Sequence, residues 1–160
     1  MVKVKSYANI AIVKYWGKKD AKKMIPATSS ISLTLNDMFT ETEMEFISDE
    51  DIKISVEKEM KNGDYKDKFS NMTDLFYLNG ELQDSVHTEK ISKVVDLFRE
   101  NRSQKVKIST TNNMPTAAGL SSSSSGLSAV IKACNELFGK NYTQSELAQI
   151  SKFGSGSSSR

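Results

Sequence analysis

The hydrophobic period changes along this chain, and that change limits the folds open to it. Over residues 2–7 apolar and polar side chains alternate, the period of a half-buried strand. Residues 9–13 are apolar enough to continue that strand or to bend into a loop. Ile31, Leu33 and Leu35 share one face of a second strand. Alternation returns over residues 40–47, and residues 52–56 read as a further strand. Residues 57–71 are polar and read as a long turn region. Residues 76–82 form a hairpin, because Asn79-Gly80 supplies the positive φ angles of a type I′ turn. The period then switches. Ile91, Val94, Val95 and Phe98 fall at i, i+3, i+4 and i+7, one face of a helix. A short strand follows at 106–110 and a loop at 112–119. Leu127, Val130, Ile131, Cys134 and Phe138 mark a second helical face that stops at Gly139, a good residue to end a helix. Thr143-Gln144-Ser145-Glu146 fits a capping box, so a third helix is expected over about 145–153. Strands first, then helices and strands mixed, give the α+β class.

Composition narrows the function. A length of 160 residues suits one domain, taken as 1–160, with a core that needs no staples. A net charge of +2 speaks against a nucleic-acid partner recognised by bulk electrostatics. The single Cys134 cannot form an internal disulfide. With one Cys and one His (His87), a His/Cys zinc site is not expected. No apolar run approaches a membrane span, and residues 1–5 alternate lysine with valine where a signal peptide would carry an apolar core. The expected address is cytoplasmic, with no membrane partner.

The most informative local feature is Pro115-Thr116-Ala117-Ala118-Gly119-Leu120-Ser121-Ser122-Ser123-Ser124-Ser125-Gly126, between a strand and an amphipathic helix. A helix amino end carries unpaired N–H groups and the positive end of the macrodipole. Small residues let a phosphate approach that backbone, and hydroxyls add donors or a metal ligand. The segment has the chemistry of a triphosphate cradle, but it is no Walker A loop, because Gly-Lys-Ser/Thr is lacking. A serine linker would not run straight into a helical apolar face. Composition alone leaves open a capped helix that binds nothing. A second cluster places five lysines within ten residues (Lys14, Lys18, Lys19, Lys22, Lys23), around the only Trp. Taken alone, such a run reads as a solvated face.

The serine loop resembles the nucleotide-binding motif of the GHMP kinases. Asn9-Ile10-Ala11-Ile12-Val13-Lys14-Tyr15-Trp16-Gly17-Lys18 resembles the signature of the diphosphomevalonate decarboxylases within that superfamily. Ser29-Ser30-Ile31-Ser32-Leu33-Thr34-Leu35 and the tail Ser155-Gly156-Ser157-Ser158-Ser159-Arg160 are similar to two further motifs of those enzymes, in the same order. The resemblance runs from near residue 5 to residue 160.

It implies a fold like ribosomal protein S5 domain 2, a mixed or antiparallel sheet packed against helices. It implies ATP-dependent decarboxylation of 5-diphosphomevalonate to isopentenyl diphosphate, with ATP as co-substrate, Mg²⁺, and a family habit of homodimers. By the same resemblance Lys18 is the catalytic candidate, near the substrate hydroxyl, carboxylate and transferred phosphate. Tyr15, Trp16 and Gly17 lie with it on the substrate, Tyr15 by its side chain. Ser155, Gly156, Ser157, Ser158, Ser159 and Arg160 form the diphosphate clamp, Arg160 offering a bidentate fork. Pro115, Ala118, Gly119, Leu120, Ser121, Ser122, Ser123 and Ser124 hold the nucleotide, with Ser122 as the Mg²⁺ ligand. Ser158-Ser159 and Ser121 depart from the family's usual residues, and the departure at Ser121 leaves Ser122 and Ser123 as the better ATP or Mg²⁺ ligands. Lys90 sits near a basic contact of the relatives and reads equally well as a surface lysine. His87 reads as structural or solvated, and Cys134 as core.

No motif here matches the family's aspartate-bearing second half. The chain is therefore expected to carry the first of two domains and to be inactive alone. Two alternatives stand beside this reading: a GHMP-family small-molecule kinase such as mevalonate or phosphomevalonate kinase, and a non-catalytic binding module of the same fold.

Overall fold

The computed structural model of the chain describes residues 1–14, 17–20, 25–60, 69, 71–114 and 122–152. Its centre is a five-stranded mixed sheet in the order β1 (Val2–Val13), β4 (Ile31–Phe46), β7 (Val106–Asn112), β5 (Leu75–Leu78) and β6 (Glu81–Leu82). A two-stranded ribbon, β2 (Lys18–Asp20) with β3 (Ile25–Pro26), lies between β1 and β4 in the chain. All pairings are antiparallel except β5 with β7. That parallel pair needs a crossover, which α2 (Ser85–Val95) provides.

Alternation decides the two faces of the sheet. Val4, Ala8, Met44, Val106 and Ile108 are buried on one face. There they meet Val95, the last residue of α2, Phe98 in the turn after it, and Ala129, Val130, Ile131, Ala133 and Cys134 of α3 (Ser122–Leu137). Burial pushes the Cys134 thiol up, and its Sγ lies 3.9 Å from Met44 Sδ. The residue is core, as expected, and no nucleophile. The opposite face carries charge: Lys3 pairs with Glu41 and Glu43 at 2.7 and 2.9 Å, and Lys5 lies over the Phe39 ring. This is the expected α+β arrangement, a mixed sheet with helices packed on it. Among the described residues no helix is long and apolar enough to cross a membrane.

The hairpin forms at Asn79-Gly80, with φ of 51° and 87°. The segment expected as a strand at 52–56 is instead the middle of α1 (Asp49–Met60). Ser48 Oγ and N–H both donate to Asp51, whose own N–H donates back to Ser48 Oγ. Asp49, Glu50 and Asp51 also favour the positive amino end. Capping therefore overrides the alternation of Ile52, Ile54 and Val56, of which Ile52 is buried and Ile54 exposed. Residues 31–35 and 40–47 are likewise not separate strands. β4 runs through both, with a register jump from Tyr7↔Phe39 to Ala8↔Leu35. Asn113 holds the irregular stretch, accepting from Phe39 N–H and donating to the Asp37 carbonyl. Ile31 and Leu33 do share a face, but that face is open to solvent.

The capping box starts α4 (Gln144–Ser151), where Thr143 Oγ1 accepts from Glu146 N–H and the Glu146 carboxylate accepts from Thr143 N–H. The Thr143 N–H and hydroxyl hold the Glu146 carboxyl below its ordinary value. A depressed folded pKa gives a stabilisation that is present above the unfolded value, about 4.3, and lost as pH falls through the folded one. Glu146→Gln is accordingly expected to flatten part of the acid limb of the melting temperature against pH. An unchanged limb in that variant would remove the capping carboxylate from the account.

Candidate functional site

Lys18 opens β2, and its backbone pairs with Pro26. The turn into it needs Gly17, which has a φ of +69° and accepts from Ala27 N–H at 3.2 Å. A side chain there would be strained by about 1–2 kcal/mol. Because Val13 pairs with Ile31, the β2–β3 ribbon leaves the sheet at the far end of the β1–β4 ladder.

The amino-terminal turn of α3 sits lower on the same ladder. Ser125 Oγ lies 2.7 Å from Thr40 Oγ1, in the middle of β4. Of the two described serine side chains that were expected to hold a nucleotide, Ser123 is exposed and Ser124 is buried. Ser123 lines a groove of about 230 Å³ with Phe76, Leu78, Ile91, Gly126 and Leu127. A mainly apolar groove thus adjoins the positive end of α3. A wider cleft of about 410 Å³ separates α4 from β1 and is lined by Lys5, Asn9, Thr34, Lys132 and Ser151. Asn9 Oδ1 is buried there with no hydrogen-bond partner among the described residues. The chain therefore leaves α4 beside the ladder that leads to Lys18.

Lys90 is exposed on α2, in a shallow groove with Glu89 and Lys93. His87 is also exposed and lies 2.8 Å from Asp84, the cap of α2, which fits the structural reading. Tyr15, Trp16, Pro115, Ala118, Gly119, Leu120, Ser121, Ser155, Gly156, Ser157, Ser158, Ser159 and Arg160 lie outside the described residues, and Ser122 is described by its backbone alone. Sequence reasoning missed Thr40, Asn112 and the apolar groove. The available signal was a pair of threonines, Thr40 and Thr42, at inward positions of an alternating strand.

The profile of the family described as "Diphosphomevalonate decarboxylase-like N-terminal domain" matches residues 6–76 and 64–160. The chain belongs to this family. The mevalonate pyrophosphate decarboxylase of Streptococcus pyogenes is 51% identical, with a TM-score of 0.77 over 99% of this chain and 44% of that one. A solved complex of MDDEF with MVAPP, AMPPCP and magnesium is 35% identical, with a TM-score of 0.72 over 98% of this chain and 42% of that one. The diphosphomevalonate decarboxylase of Schizosaccharomyces pombe is 30% identical over 98% of this chain and 39% of its own length. This diphosphomevalonate decarboxylase-like domain thus spans about two fifths of the curated relatives it matches.

Proposed function

We propose that this domain binds the nucleotide and the diphosphate substrate of an ATP-dependent decarboxylase acting on 5-diphosphomevalonate. The observation that carries the reading is the amino end of α3, held on Thr40, with Ser123 exposed beside an apolar groove. N–H groups and hydroxyls at the amino end of a helix suit the phosphates, and the groove suits the flat, less polar part of a nucleotide. Among the described residues no group of three His, Cys, Asp or Glu gathers to hold a metal. Ser122 would offer its hydroxyl to Mg²⁺. When bound, the ion offsets the charge of the polyphosphates.

Lys18 would place a compact ammonium where the transferred phosphate and the substrate carboxylate gather. Tyr15, Trp16 and Gly17 would line the substrate beside it. Residues 155–160 would clamp the diphosphate, Arg160 through two parallel hydrogen bonds. Catalysis here would be positioning and charge stabilisation.

A titration of the chain with AMPPCP and Mg²⁺, followed by backbone NMR, tests the reading. Shifts are expected at Ser123, Gly126, Leu127 and the groove residues Phe76 and Leu78. Saturating nucleotide that leaves these amides unmoved would overturn it.

A further inference from the structure

We propose that Thr40 is a positioning residue that locks the amino-terminal turn of α3 to the sheet through a directed hydrogen-bond chain. The inference rests on the reading above, in which that turn cradles phosphates. Thr40 is fully buried and Ser125 is 3% exposed. Thr40 Oγ1 donates to Asn112 Oδ1 at 2.7 Å. A hydroxyl has one proton, so that donation spends it. At 2.7 Å from Ser125 Oγ, Thr40 must therefore accept. The chain runs one way, from Ser125 to Thr40 to Asn112.

Its far end is fixed. Thr40 pairs with Ser6 on one side and Asn112 on the other, so its backbone is held between two strands. The Asn112 N–H in turn donates to Asn79 Oδ1 at 2.9 Å, at the hairpin turn. The Thr40 methyl lies under α3 as well, 4.0 Å from where a Cβ would stand on Gly126. Both branches of this threonine thus face the first turn of the helix.

That turn is where a helix is weakest, because its first four N–H groups have no partners within the helix. A phosphate needs those groups ordered, and ordering them at the moment of binding weakens affinity. Thr40 orders them beforehand, from inside, while Ser123 stays exposed on the same turn. Thr42 provides an internal comparison. It is equally buried and bonds Thr110 at 3.0 Å, one inward position further along β4.

The test compares Thr40→Val, Thr40→Ser and Thr42→Val by AMPPCP–Mg²⁺ affinity and by amide hydrogen exchange over residues 122–128, both well below each variant's melting temperature. Thr40→Val keeps the shape and removes the hydroxyl. It is expected to weaken affinity about tenfold, the equivalent of one hydrogen bond, and to speed exchange in the first turn of α3 by a similar factor. Thr40→Ser restores the hydroxyl and is expected to stay within about twofold of the parent, and Thr42→Val likewise. Equal effects of Thr40→Val and Thr42→Val on both readouts would make the role merely structural and overturn the proposal, as would first-turn exchange unchanged in Thr40→Val. A parent chain that binds no nucleotide while Thr40→Val still loosens the turn would instead count against the nucleotide reading alone.

Discussion

Arg99→Leu is expected to remove about 3–5 kcal/mol of folding stability, the cost of leaving one buried charge without its partner. Asp74 is fully buried at the start of β5. Its carboxylate accepts from Arg99 Nη1 and Nη2 at 3.0 and 2.7 Å, from Ser92 Oγ at 2.6 Å and from Val106 N–H at 2.9 Å. One side chain thereby ties the starts of β5 and β7 to α2. Burial by itself disfavours the guanidinium charge, but Asp74 and then Asp96 outweigh it and hold Arg99 above its ordinary value. With Arg99 gone, Asp74 keeps two donors and loses its counter-charge. For a domain whose whole stability is about 5–15 kcal/mol, such a loss lowers the melting temperature by about 10–15 °C. The double variant Asp74→Leu with Arg99→Leu is expected to recover much of it, because no charge then remains buried. Thermal and urea unfolding of the single and double variants decides the matter. A single variant within about 1 kcal/mol of the parent would mean that this knot does not hold the crossover together.

The second large effect concerns chemistry. In a chimera where residues 1–160 replace the matching segment of the Streptococcus pyogenes relative, Lys18→Ala is expected to lower kcat by about 10²–10³. Stability is expected to change little, because the role proposed for Lys18 is charge stabilisation at the reacting phosphate. Lys18→Arg should rescue only part of it, since a planar fork does not replace a compact ammonium. Turnover within about twofold of the parent in Lys18→Ala would take Lys18 out of the reaction.

Much of the fold was legible because it is written locally. Asn79-Gly80 specifies its turn, Thr143 and Glu146 cap each other, and the apolar stripe from Leu127 to Cys134 can only face a core. The misread segment was local too: Ser48 and Asp51 form a cap that outweighs the alternation of the three apolar residues after it. What the sequence could not show is pairing at a distance. Asp74 and Arg99 are 25 residues apart, and Thr40 and Ser125 are 85 apart. Neither pair leaves a pattern in composition or period, since the first is created by the crossover that sets β5 beside β7 and the second by the packing of α3 over β4. The candidate site was legible as motifs, but the way one of them is anchored was not. Thr40 reads in sequence as one more polar residue of a strand.

The domain is proposed to supply the nucleotide and diphosphate half of a decarboxylase. The same chimera decides this through the ratio of ADP to carbon dioxide released from ATP and 5-diphosphomevalonate. Equal amounts of the two, with isopentenyl diphosphate as product, are expected. A folded chimera that releases ADP without carbon dioxide, and accumulates a phosphorylated acid, would contradict it.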